Sequence, residues 1–393
     1  MRVLVAYDKF KDSMTAEEAC ESTACALRKL HPDWSLDLAA LTDGGDGFGM
    51  ILTASAKGQS RPVAAAGPFL EPEEALMGIV EIDRLPAAAR NLLVGLPDSG
   101  RLAIIEMASI NGLAMVPQEK RNPWTTSTHG TGQMIRAAAD AKVDGILLGV
   151  GGSATNDLGL GALGALGFGF RNTDGGVVHL PVPEFWPEIT GITGAMDPST
   201  PPIWIACDVD NPLLGVSGAA AVFGPQKGLK ESDRPRLEAE SLRLADLLCQ
   251  HLGCDPGLKT APGAGAAGGI SFGLMAAGGA RLVSGSELMT AWMRLNERIE
   301  QADLIITGEG RFDRSSLSGK GPGEIVNRSI ALGKPVHVFA GGIEDGLPTD
   351  ANLHAISPAD LPLVEALRQG RANLEETIAN VFGEETAHND APR

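Results

Sequence analysis

The stretch Gly149-Val150-Gly151-Gly152-Ser153-Ala154-Thr155-Asn156-Asp157 lies between an apolar run and an alanine- and leucine-rich segment. The apolar run, 146–150, predicts a buried strand, and the segment 158–166 predicts a helix. Glycines let the backbone approach a ligand closely, and the N–H groups at a helix start attract anions. The stretch is therefore typical of a phosphate-binding loop, and equally of a tight turn capped by hydroxyl side chains. The rest of the sequence is needed to choose between these interpretations.

The composition indicates a globular protein of ordinary enzyme size. The 393 residues, of which 44% are hydrophobic, can bury a large core and predict two or three domains at about 150 residues each. The net charge of −17 argues against a nucleic-acid or anionic-membrane partner, because such surfaces need clustered lysines and arginines. No apolar run reaches the length of a membrane span, so we expect none.

The cysteines and the first residues predict a cytoplasmic protein. The five cysteines form no C-x-x-C pair, and Cys249 and Cys254, with His251 between them, match no standard zinc site. Ordinary reduced thiols are therefore expected. Residues 1–10 carry a strand-like run instead of the basic and apolar regions of a signal peptide.

Strands and helices alternate at both ends of the chain. The strand-like runs there are 3–6, 36–41, 304–307, 336–340 and 353–356. Together they would complete one five-stranded parallel sheet, with the middle of the chain inserted as a second α/β domain. We expect a discontinuous domain at 1–58 and 285–393 and an inserted domain at 59–284.

Charged residues follow the predicted strands of the discontinuous domain. They are Asp8, Lys11, Asp43, Asp46, Glu309, Arg311 and Asp313. Because ligands of open parallel sheets bind outside the carboxyl ends of the strands, these residues predict one shared active-site cleft, between the two domains. Their carboxylates suit Mg²⁺ or a substrate hydroxyl, or alternatively cap the turns in which they lie.

The inserted domain has a second group of polar residues after its strands. Asp208 follows the strand-like run 203–206, and Lys227 lies on a tight turn. Phosphoryl transfer needs N–H groups and cations around the phosphates, carboxylates for Mg²⁺ and a carboxylate near the acceptor hydroxyl. The sequence has no Walker A motif, so we expect the glycine loops at 149–153 and 263–269 to hold the phosphates of ATP.

Two other classes of function fit parts of the pattern. The run 149–154 satisfies G-x-G-x-x-A after a predicted strand, with Asp174 about twenty residues further on, as in NAD(P)-dependent oxidoreductases of small hydroxy acids. Asp174 lies in a turn, however, and the G-x-G-x-x-G run at 263–268 follows no strand. A non-catalytic protein that binds hydroxy acids is the third possibility, although it would not need so many clustered carboxylates.

Motifs from most of the chain, all in order, carry a resemblance to a known family. They are Asp8-Lys9-Phe10-Lys11, Asp43-Gly44-Gly45-Asp46-Gly47, Glu106-Met107-Ala108, the Thr/Ser run up to Gly130-Thr131-Gly132, 151–157, Cys207-Asp208-Val209, Asn211-Pro212-Leu213, 223–228, 262–269, and 306–313 with Ser315. On these motifs, from the first strand to about Gly342, the sequence resembles the bacterial glycerate kinases of type I.

The resemblance implies a fold and a reaction. The fold is α/β, with a flavodoxin-like parallel-sheet domain interrupted by an inserted mixed-sheet α/β domain. The reaction is ATP-dependent phosphorylation of D-glycerate with Mg²⁺, and 2-phosphoglycerate is favoured over 3-phosphoglycerate as the product. Three positions depart from the family pattern, namely Tyr7, Lys9 and Asp46. The oligomeric state stays open between monomer and homodimer.

The converging acids and cations give a set of expected site residues. Asp43, Asp208 and Asp313 are candidates to orient the attacking hydroxyl, Asp43 and Asp208 also to bind Mg²⁺, and Lys11 and Arg311 to neutralise substrate charge. The expected substrate-binding residues are Asp8, Gly44, Gly45, Asp46, Gly152, Ser153, Thr155, Asn156, Lys227 and Ser315. The expected nucleotide-binding residues are Gly263, Gly265, Gly268, Gly269 and Glu309.

Overall fold

The computed structural model describes residues 1–42, 44–318, 321–358 and 360–389. The chain divides into two compact units. The first unit contains Met1–Thr42 and Met289–Arg393, and the second unit contains Asp43–Leu288. The strands of the described residues are β1 Arg2–Tyr7, β2 Ser35–Leu38, β3 Gln59–Ala66, β4 Pro72–Glu81, β5 Arg101–Glu106, β6 Gly145–Gly149, β7 Gly169–Arg171, β8 Gly191–Thr193, β9 Ile203–Ala206, β10 Arg281–Val283, β11 Leu304–Gly308, β12 Arg311–Phe312, β13 Val336–Ala340, β14 Gly342–Ile343 and β15 Asn352–Ala355.

The helices surround the two main sheets, and several short 3₁₀ turns connect them. The α-helices of the described residues are α1 Ala16–Leu30, α2 Phe48–Ser55, α3 Ala87–Leu92, α4 Ala108–Asn111, α5 His129–Asp140, α6 Leu160–Ala165, α7 Ala219–Phe223, α8 Arg234–Leu252, α9 Ala266–Gly278, α10 Gly285–Trp292, α11 Leu295–Gln301, α12 Pro322–Ala331, α13 Leu363–Arg368 and α14 Gly370–Asn389. None of the helices in the described part of the chain has the length and hydropathy of a membrane span.

A five-stranded parallel sheet forms the core of the first unit. Its strand order is β15-β13-β11-β1-β2, and every neighbouring pair is parallel. Numbered within the sheet and read from the other edge, this is the 2-1-3-4-5 order of flavodoxin-like folds. The predicted assembly of two N-terminal and three C-terminal strands into one sheet is therefore confirmed.

Alternate residues of β1 enter the two hydrophobic layers of this unit. Val3 and Val5 pack in a cluster that includes residues of α1 and α14, and Leu4 and Ala6 pack in a cluster with residues of α11 and α12. Strand side chains alternate between faces, so a strand that is covered on both faces must be apolar throughout. This requirement explains the uninterrupted apolar run at the start of the sequence.

Two neighbouring histidines pack under α14. His337 of β13 and His354 of β15 have stacked rings, and Nδ1 of His337 lies 3.0 Å from Nε2 of His354. Phe339 and Phe382 also pack against His337. Burial, and secondarily the facing His354, lower the pKa of His337 to about 4, and burial lowers the pKa of His354. Both side chains are therefore neutral at physiological pH.

We expect this pair to make the first unit less stable in mild acid. Because the folded pKa of His337 is lowered, its stabilising contribution is present above the ordinary value near 6.5 and is lost as pH falls toward about 4. Between these pH values, the Tm of thermal unfolding should fall more steeply with decreasing pH in the wild type than in His337→Phe. The exposed His179→Gln serves as the control and should keep the wild-type slope, and equal slopes for all three proteins would contradict the prediction.

A six-stranded mixed sheet forms the core of the second unit. Its order is β10-β9-β6-β5-β4-β3, with parallel pairing from β10 to β5 and antiparallel pairing among β5, β4 and β3. The predicted mixed-sheet α/β class of this unit is confirmed. The carboxyl ends of β5, β6, β9 and β10 consequently lie along one edge of the sheet, as in other parallel sheets.

The sequence placed residues 43–58 with the discontinuous domain, whereas the structure places them in the second unit. The physical reason is α2, which packs on β4 and β5. A Cβ atom placed on Gly78 of β4 would lie 1.8 Å from the Thr53 hydroxyl, so helix and strand are in close contact. At the other boundary, the second unit extends to Leu288 instead of ending at 284.

Candidate functional site

In the first unit, the predicted site residues lie where β1 and β11 end. The backbone N–H of Asp8 donates to the Gly308 carbonyl at 3.0 Å, and that of Gly310 donates to the Lys9 carbonyl at 3.4 Å. The segments after the two strands therefore run side by side. They carry Asp8 and Lys11 on one segment and Glu309, Arg311 and Asp313 on the other.

This position is the topological switch point of the parallel sheet. The chain passes from β1 to β2 on one side, whereas β11 lies on the other side of β1. The connections leave the two strands in opposite directions, which opens a crevice at their carboxyl ends, and open α/β sheets bind ligands there. The strand order thus supports a ligand site among the predicted residues of this unit.

Arg311 and Asp313 form an exposed pair beside this crevice. Arg311 Nε lies 3.6 Å from Asp313 Oδ2, and the arginine side chain is 74% exposed. Asp313 Oδ1 accepts hydrogen bonds from the Ser315 hydroxyl at 2.5 Å and the Ser315 N–H at 2.9 Å. These bonds lower the pKa of the Asp313 carboxyl, which is therefore ionised at neutral pH. Ser315 thus positions Asp313 in this structure.

Tyr7 and Lys9, two of the positions that depart from the family pattern, have defined hydrogen-bond partners in the structure. Tyr7 is fully buried in β1, and its hydroxyl lies 3.3 Å from the Thr23 hydroxyl of α1. Burial raises the pKa of the Tyr7 phenol. Tyr7 is therefore a core residue of the first unit. Lys9 lies on the segment after β1, where its N–H donates to Asp8 Oδ1 at 2.7 Å.

In the second unit, the stretch 149–157 follows β6 at the carboxyl edge of the mixed sheet. Two of its backbone N–H groups, and that of the residue after it, are used to fix it. That of Gly151 donates to the Gly44 carbonyl at 3.0 Å and that of Ala154 to the Asn111 carbonyl at 2.9 Å. The N–H of the next residue, Leu158, donates to Gly268 at 3.0 Å. The loop is held between three distant segments.

The other N–H groups of this loop are open. Those of Gly152, Ser153, Thr155 and Asn156 have no hydrogen-bond acceptor within the described residues. Gly152 adopts a φ of +69°, which brings successive N–H groups toward one side in the manner of an anion-binding nest. Such groups hold phosphate or carboxylate oxygens. N–H groups without an acceptor are compatible with the anion-binding interpretation, which stays a prediction.

Lys227 lies directly behind the loop. Its Nζ donates to the Ser153 hydroxyl at 2.9 Å and to the Thr155 carbonyl at 2.6 Å, and the residue is only 2% exposed. Burial lowers the pKa of Lys227 to about 7, while the charge of Asp157 acts in the opposite direction. A charged Lys227 would add a positive potential to the open N–H groups, and a bound anion would in turn favour its charged form.

Two further polar groups of the loop are unsatisfied. Thr155 Oγ1 and Asn156 Oδ1 are buried and have no partner in the described part of the chain. A buried polar group without a partner costs about 1–3 kcal/mol, so such groups commonly serve a ligand. A hydroxyl and an amide oxygen suit the hydroxyl groups of a small polar substrate.

Glu106 holds the glycine turn that precedes α2, and we did not single it out from the sequence. Its carboxylate accepts hydrogen bonds from the N–H groups of Gly47 at 3.1 Å and Gly49 at 3.0 Å. The turn carries Gly44, Gly45 and the exposed Asp46, whereas Asp43 lies outside the described residues. Glu106 is the last residue of β5 and belongs to the family motif Glu106-Met107-Ala108.

Asp157 is fully buried and connects two helix starts. One carboxylate oxygen accepts from the Gly159 N–H, and the other from the Thr128 N–H and hydroxyl and the Gly161 N–H. Burial raises the pKa of Asp157, and the four donors act against this rise. Both oxygens accept hydrogen bonds, which favours the ionised form. Asp157 is thus a structural anchor of the loop.

We expect Asp157→Asn to lower the free energy of unfolding by about 3 kcal/mol. In either orientation of the asparagine side chain, its NH₂ group faces another hydrogen-bond donor. In addition, Lys227 loses the negative charge that favours its ammonium form. Urea unfolding followed by tryptophan fluorescence would measure the change, because Trp186 and Trp204 are buried in this unit. The exposed Asp174→Asn is the matched control. A variant as stable as that control would show that the carboxylate is dispensable.

Asp208 caps α10 from the neighbouring strand end. Its Oδ2 accepts from the Ser286 N–H at 2.9 Å, and its Oδ1 lies 2.8 and 3.1 Å from the hydroxyls of Ser284 and Ser286. A carboxylate at a helix N-terminus is stabilised by the orphan N–H groups there. Asp208 thus stabilises the start of α10. Its predicted roles in catalysis and Mg²⁺ binding stay predictions.

The glycines at 263–269 are required by packing within the protein. A Cβ atom placed on Gly268 would lie 2.1 Å from the Thr155 carbonyl oxygen, and one on Gly265 would lie 2.2 Å from the Pro212 carbonyl oxygen. On Gly263 and Gly269 it would lie 2.7 and 2.8 Å from side-chain carbons of Leu282 and Leu213. This segment therefore supports the loop at 149–157 from the side. Its predicted contact with ATP stays a prediction.

The structure weakens the argument for a dinucleotide. Asp174, the acid at the spacing of a ribose-binding residue, follows β7, which pairs with β8 in a two-stranded sheet separate from the main sheet. In a dinucleotide-binding fold this acid ends the second strand of the main sheet. No three His, Cys, Asp or Glu side chains within 1–42, 44–318, 321–358 and 360–389 lie close enough together to hold a metal ion.

Comparisons with known proteins agree on one family. A sequence profile of the glycerate kinase family matches residues 3–384. A protein named glycerate kinase from Halalkalibacterium halodurans is 35% identical over 388 residues, covering 96% of this chain and 97% of its own. A protein named glycerate 2-kinase from Escherichia coli is 35% identical over 349 residues, covering 88% and 86%. A crystal structure named glycerate kinase 2, from Salmonella typhimurium LT2, covers 100% of both chains with a TM-score of 0.77 and 34% identity.

Proposed function

We propose, on the premise that this chain belongs to the glycerate kinase family, that it transfers the γ-phosphoryl group of ATP to the 2-hydroxyl of D-glycerate. Membership of the family by itself makes the chain a kinase that phosphorylates glycerate with ATP. The choice of hydroxyl is the proposed part. It is supported by the relative named glycerate 2-kinase, which aligns with 88% of the chain.

The loop of the second unit supplies the observation that carries the proposal. Four of its N–H groups have no acceptor within the described residues, and the buried Lys227 donates to the same loop at Ser153 and Thr155. Phosphoryl transfer depends on such pre-oriented donors, since charge spreads over the phosphoryl oxygens or is fixed on a substrate carboxylate. We assign this loop, at Gly152, Ser153, Thr155 and Asn156, to an anionic group of the substrates.

The strand ends of the first unit supply the second part of the chemistry. Lys11 and Arg311 are exposed cations that can neutralise phosphate or carboxylate charge, and Asp8 lies beside them. The ionised Asp313 can accept the proton of the attacking glycerate hydroxyl. As the hydroxyl oxygen forms its bond to the γ-phosphorus of ATP, the bond between that phosphorus and the β,γ-bridging oxygen breaks. Asp43 and Asp208 are the other candidates for this role of proton acceptor. That both groups act in one active site stays a prediction from the sequence.

Mg²⁺ is also a proposal. The described residues form no cluster of three metal ligands. Enzymes commonly hold Mg²⁺ through substrate phosphates with only one or two carboxylates, so a ready-made protein site is not required. Bound in this way, the ion would neutralise phosphate charge, and Asp43 and Asp208 are the predicted carboxylate ligands. The predicted cytoplasmic location rests on the free state of the five cysteines.

A coupled assay of ADP release with D-glycerate, L-glycerate, glycerol and lactate tests the reaction, and ³¹P NMR of the product identifies the acceptor hydroxyl. We expect turnover with D-glycerate and a phosphorus resonance coupled to the C2 proton. Turnover that yields only the 3-phosphate would overturn the choice of hydroxyl while leaving the kinase assignment intact. Addition of EDTA should abolish turnover and excess Mg²⁺ should restore it.

A further inference from the structure

A pocket of about 380 Å³ lies in the second unit, away from the loop at 149–157. It is formed where β3 begins, β4 ends and β5 begins, next to the residues that follow α2. The loop, in contrast, follows the carboxyl end of β6, to which β5 is parallel. The pocket and the loop therefore lie at opposite edges of the mixed sheet. The residues that line the pocket are Lys57, Gly58, Gln59, Arg61, Ile79, Glu81, Arg84 and Arg101.

The charges of this lining are unusual for this protein. Four cationic side chains stand against one carboxylate, a net charge of +3, in a chain whose net charge is −17. Acidic residues outnumber basic ones by 49 to 32, so an exposed cation has many possible partners. Nevertheless, none of the five charged side chains forms an ion pair with any residue that the structure describes.

Two of the cations are held in place, and two are free to contact a ligand. Arg84 Nη1 donates to the Lys57 carbonyl at 3.0 Å, and Arg101 Nη2 donates to the carbonyls of Ala141 and Lys142 at 2.8 and 3.1 Å. Each of these guanidinium groups keeps further N–H donors, because an arginine side chain has five. The side chains of Lys57 and Arg61 make no hydrogen bond within the described residues.

The backbone explains why these groups converge. Strand side chains alternate between faces, so Gln59 and Arg61 of β3 lie on one face, as do Ile79 and Glu81 of β4. In the antiparallel register, Gln59 pairs with Ile79 and Glu81 pairs with Arg101. Lys57 adopts a left-handed φ of 54° at the end of α2, and the N–H of Gly58 donates to Thr53. The pocket is therefore built on paired strands and a helix end.

We propose that this pocket binds a compact polyanion, a small molecule that carries a diphosphate or two adjacent phosphate groups. Guanidinium groups bind phosphate oxygens in pairs, and several of them in one pocket select for more than one negative charge. A single carboxylate or chloride would leave most of the positive charge uncompensated. The volume falls at the lower end of the range for small-ligand sites, which fits a ligand of this size.

Titration calorimetry with pyrophosphate tests the site in the full-length enzyme. Saturating D-glycerate is present throughout, and ADP is left out because its own diphosphate would compete for the pocket. The test variant is Lys57→Gln/Arg61→Gln, because these side chains make no bond that the fold needs. The control is Lys120→Gln/Lys230→Gln, which removes the same charge from two exposed lysines of the same unit that do not line the pocket.

We expect saturable binding of pyrophosphate to the wild type and to the control, and at least about tenfold weaker binding to the test variant. Inorganic phosphate should bind the wild type more weakly than pyrophosphate does. Equal affinity of the wild type and the test variant would overturn the proposal, as would an equal loss in the control, which would indicate attraction by overall charge. Each outcome is independent of which hydroxyl of glycerate is phosphorylated.

Discussion

Replacing Lys227 by methionine is expected to lower kcat/KM by about 10²–10³-fold, the usual effect of losing one pre-oriented donor of an anion site. The methionine can fill the volume of the lysine stem, but it cannot donate to the Ser153 hydroxyl or the Thr155 carbonyl. The loop would lose both its anchor and the charge behind its open N–H groups. Steady-state kinetics with D-glycerate and ATP measures the effect.

The pH dependence separates the charge of Lys227 from its role in packing. Its pKa in the folded protein is lowered to about 7, so the ammonium form is present below that pH and is lost as pH rises through it. We therefore expect kcat/KM of the wild type to fall with a midpoint near this pH, and the fall to be absent in Lys227→Met. The exposed Lys230→Met is the matched control. A profile shared by all three proteins would refute the role of the charge.

Asp313→Asn is expected to lower kcat by about 10²–10³-fold, within the range for a lost general base. An asparagine Oδ1 can still accept from the Ser315 N–H and hydroxyl, so the turn should persist while the negative charge is lost. Asp43→Asn, at the other candidate position, should have an effect of similar size. Asp43 lies outside the described residues, so the expected effect of Asp43→Asn rests on the sequence pattern alone.

The exposed Asp345→Asn is the control for both aspartate variants, since it removes one negative charge from the loop after β14 in the first unit. Circular dichroism should show that all three variants keep the wild-type fold. Near-wild-type turnover in both Asp313→Asn and Asp43→Asn would exclude a carboxylate base at these two positions. A loss in one variant alone would show which of the two carboxylates turnover requires.

The first unit shows how far local patterns reach. The apolar runs of β1, β11 and β13 could be identified because strands covered on both faces need continuous apolar sequence. Once the strands were placed, parallel pairing dictated that Asp8, Arg311 and Asp313 follow strands at one edge of a sheet. The helix α1 also begins at a local sequence feature, since Thr15 and Glu18 form a capping box.

The second unit shows where local patterns stop. Glu106 was visible as an acid at a strand end, but nothing local indicated that it would hold the turn before α2, 59 residues earlier in the chain. The glycines at 263–269 matched a nucleotide-binding pattern, whereas their close neighbours are backbone and side chains of the protein itself. A glycine motif reports that something approaches closely, without reporting what it is.

The sequence by itself determined the fold class, the family and the edge of each sheet where polar residues collect, because apolar periodicity and turn residues act over a few positions. Only the tertiary structure decided which contacts the stretch 149–157 makes. Lys227 is separated from Ser153 by 74 residues, and Gly268 and Asn111 reach the loop from other elements. These contacts depend on the register of the sheet and on how helices pack against it, so no local pattern encodes them.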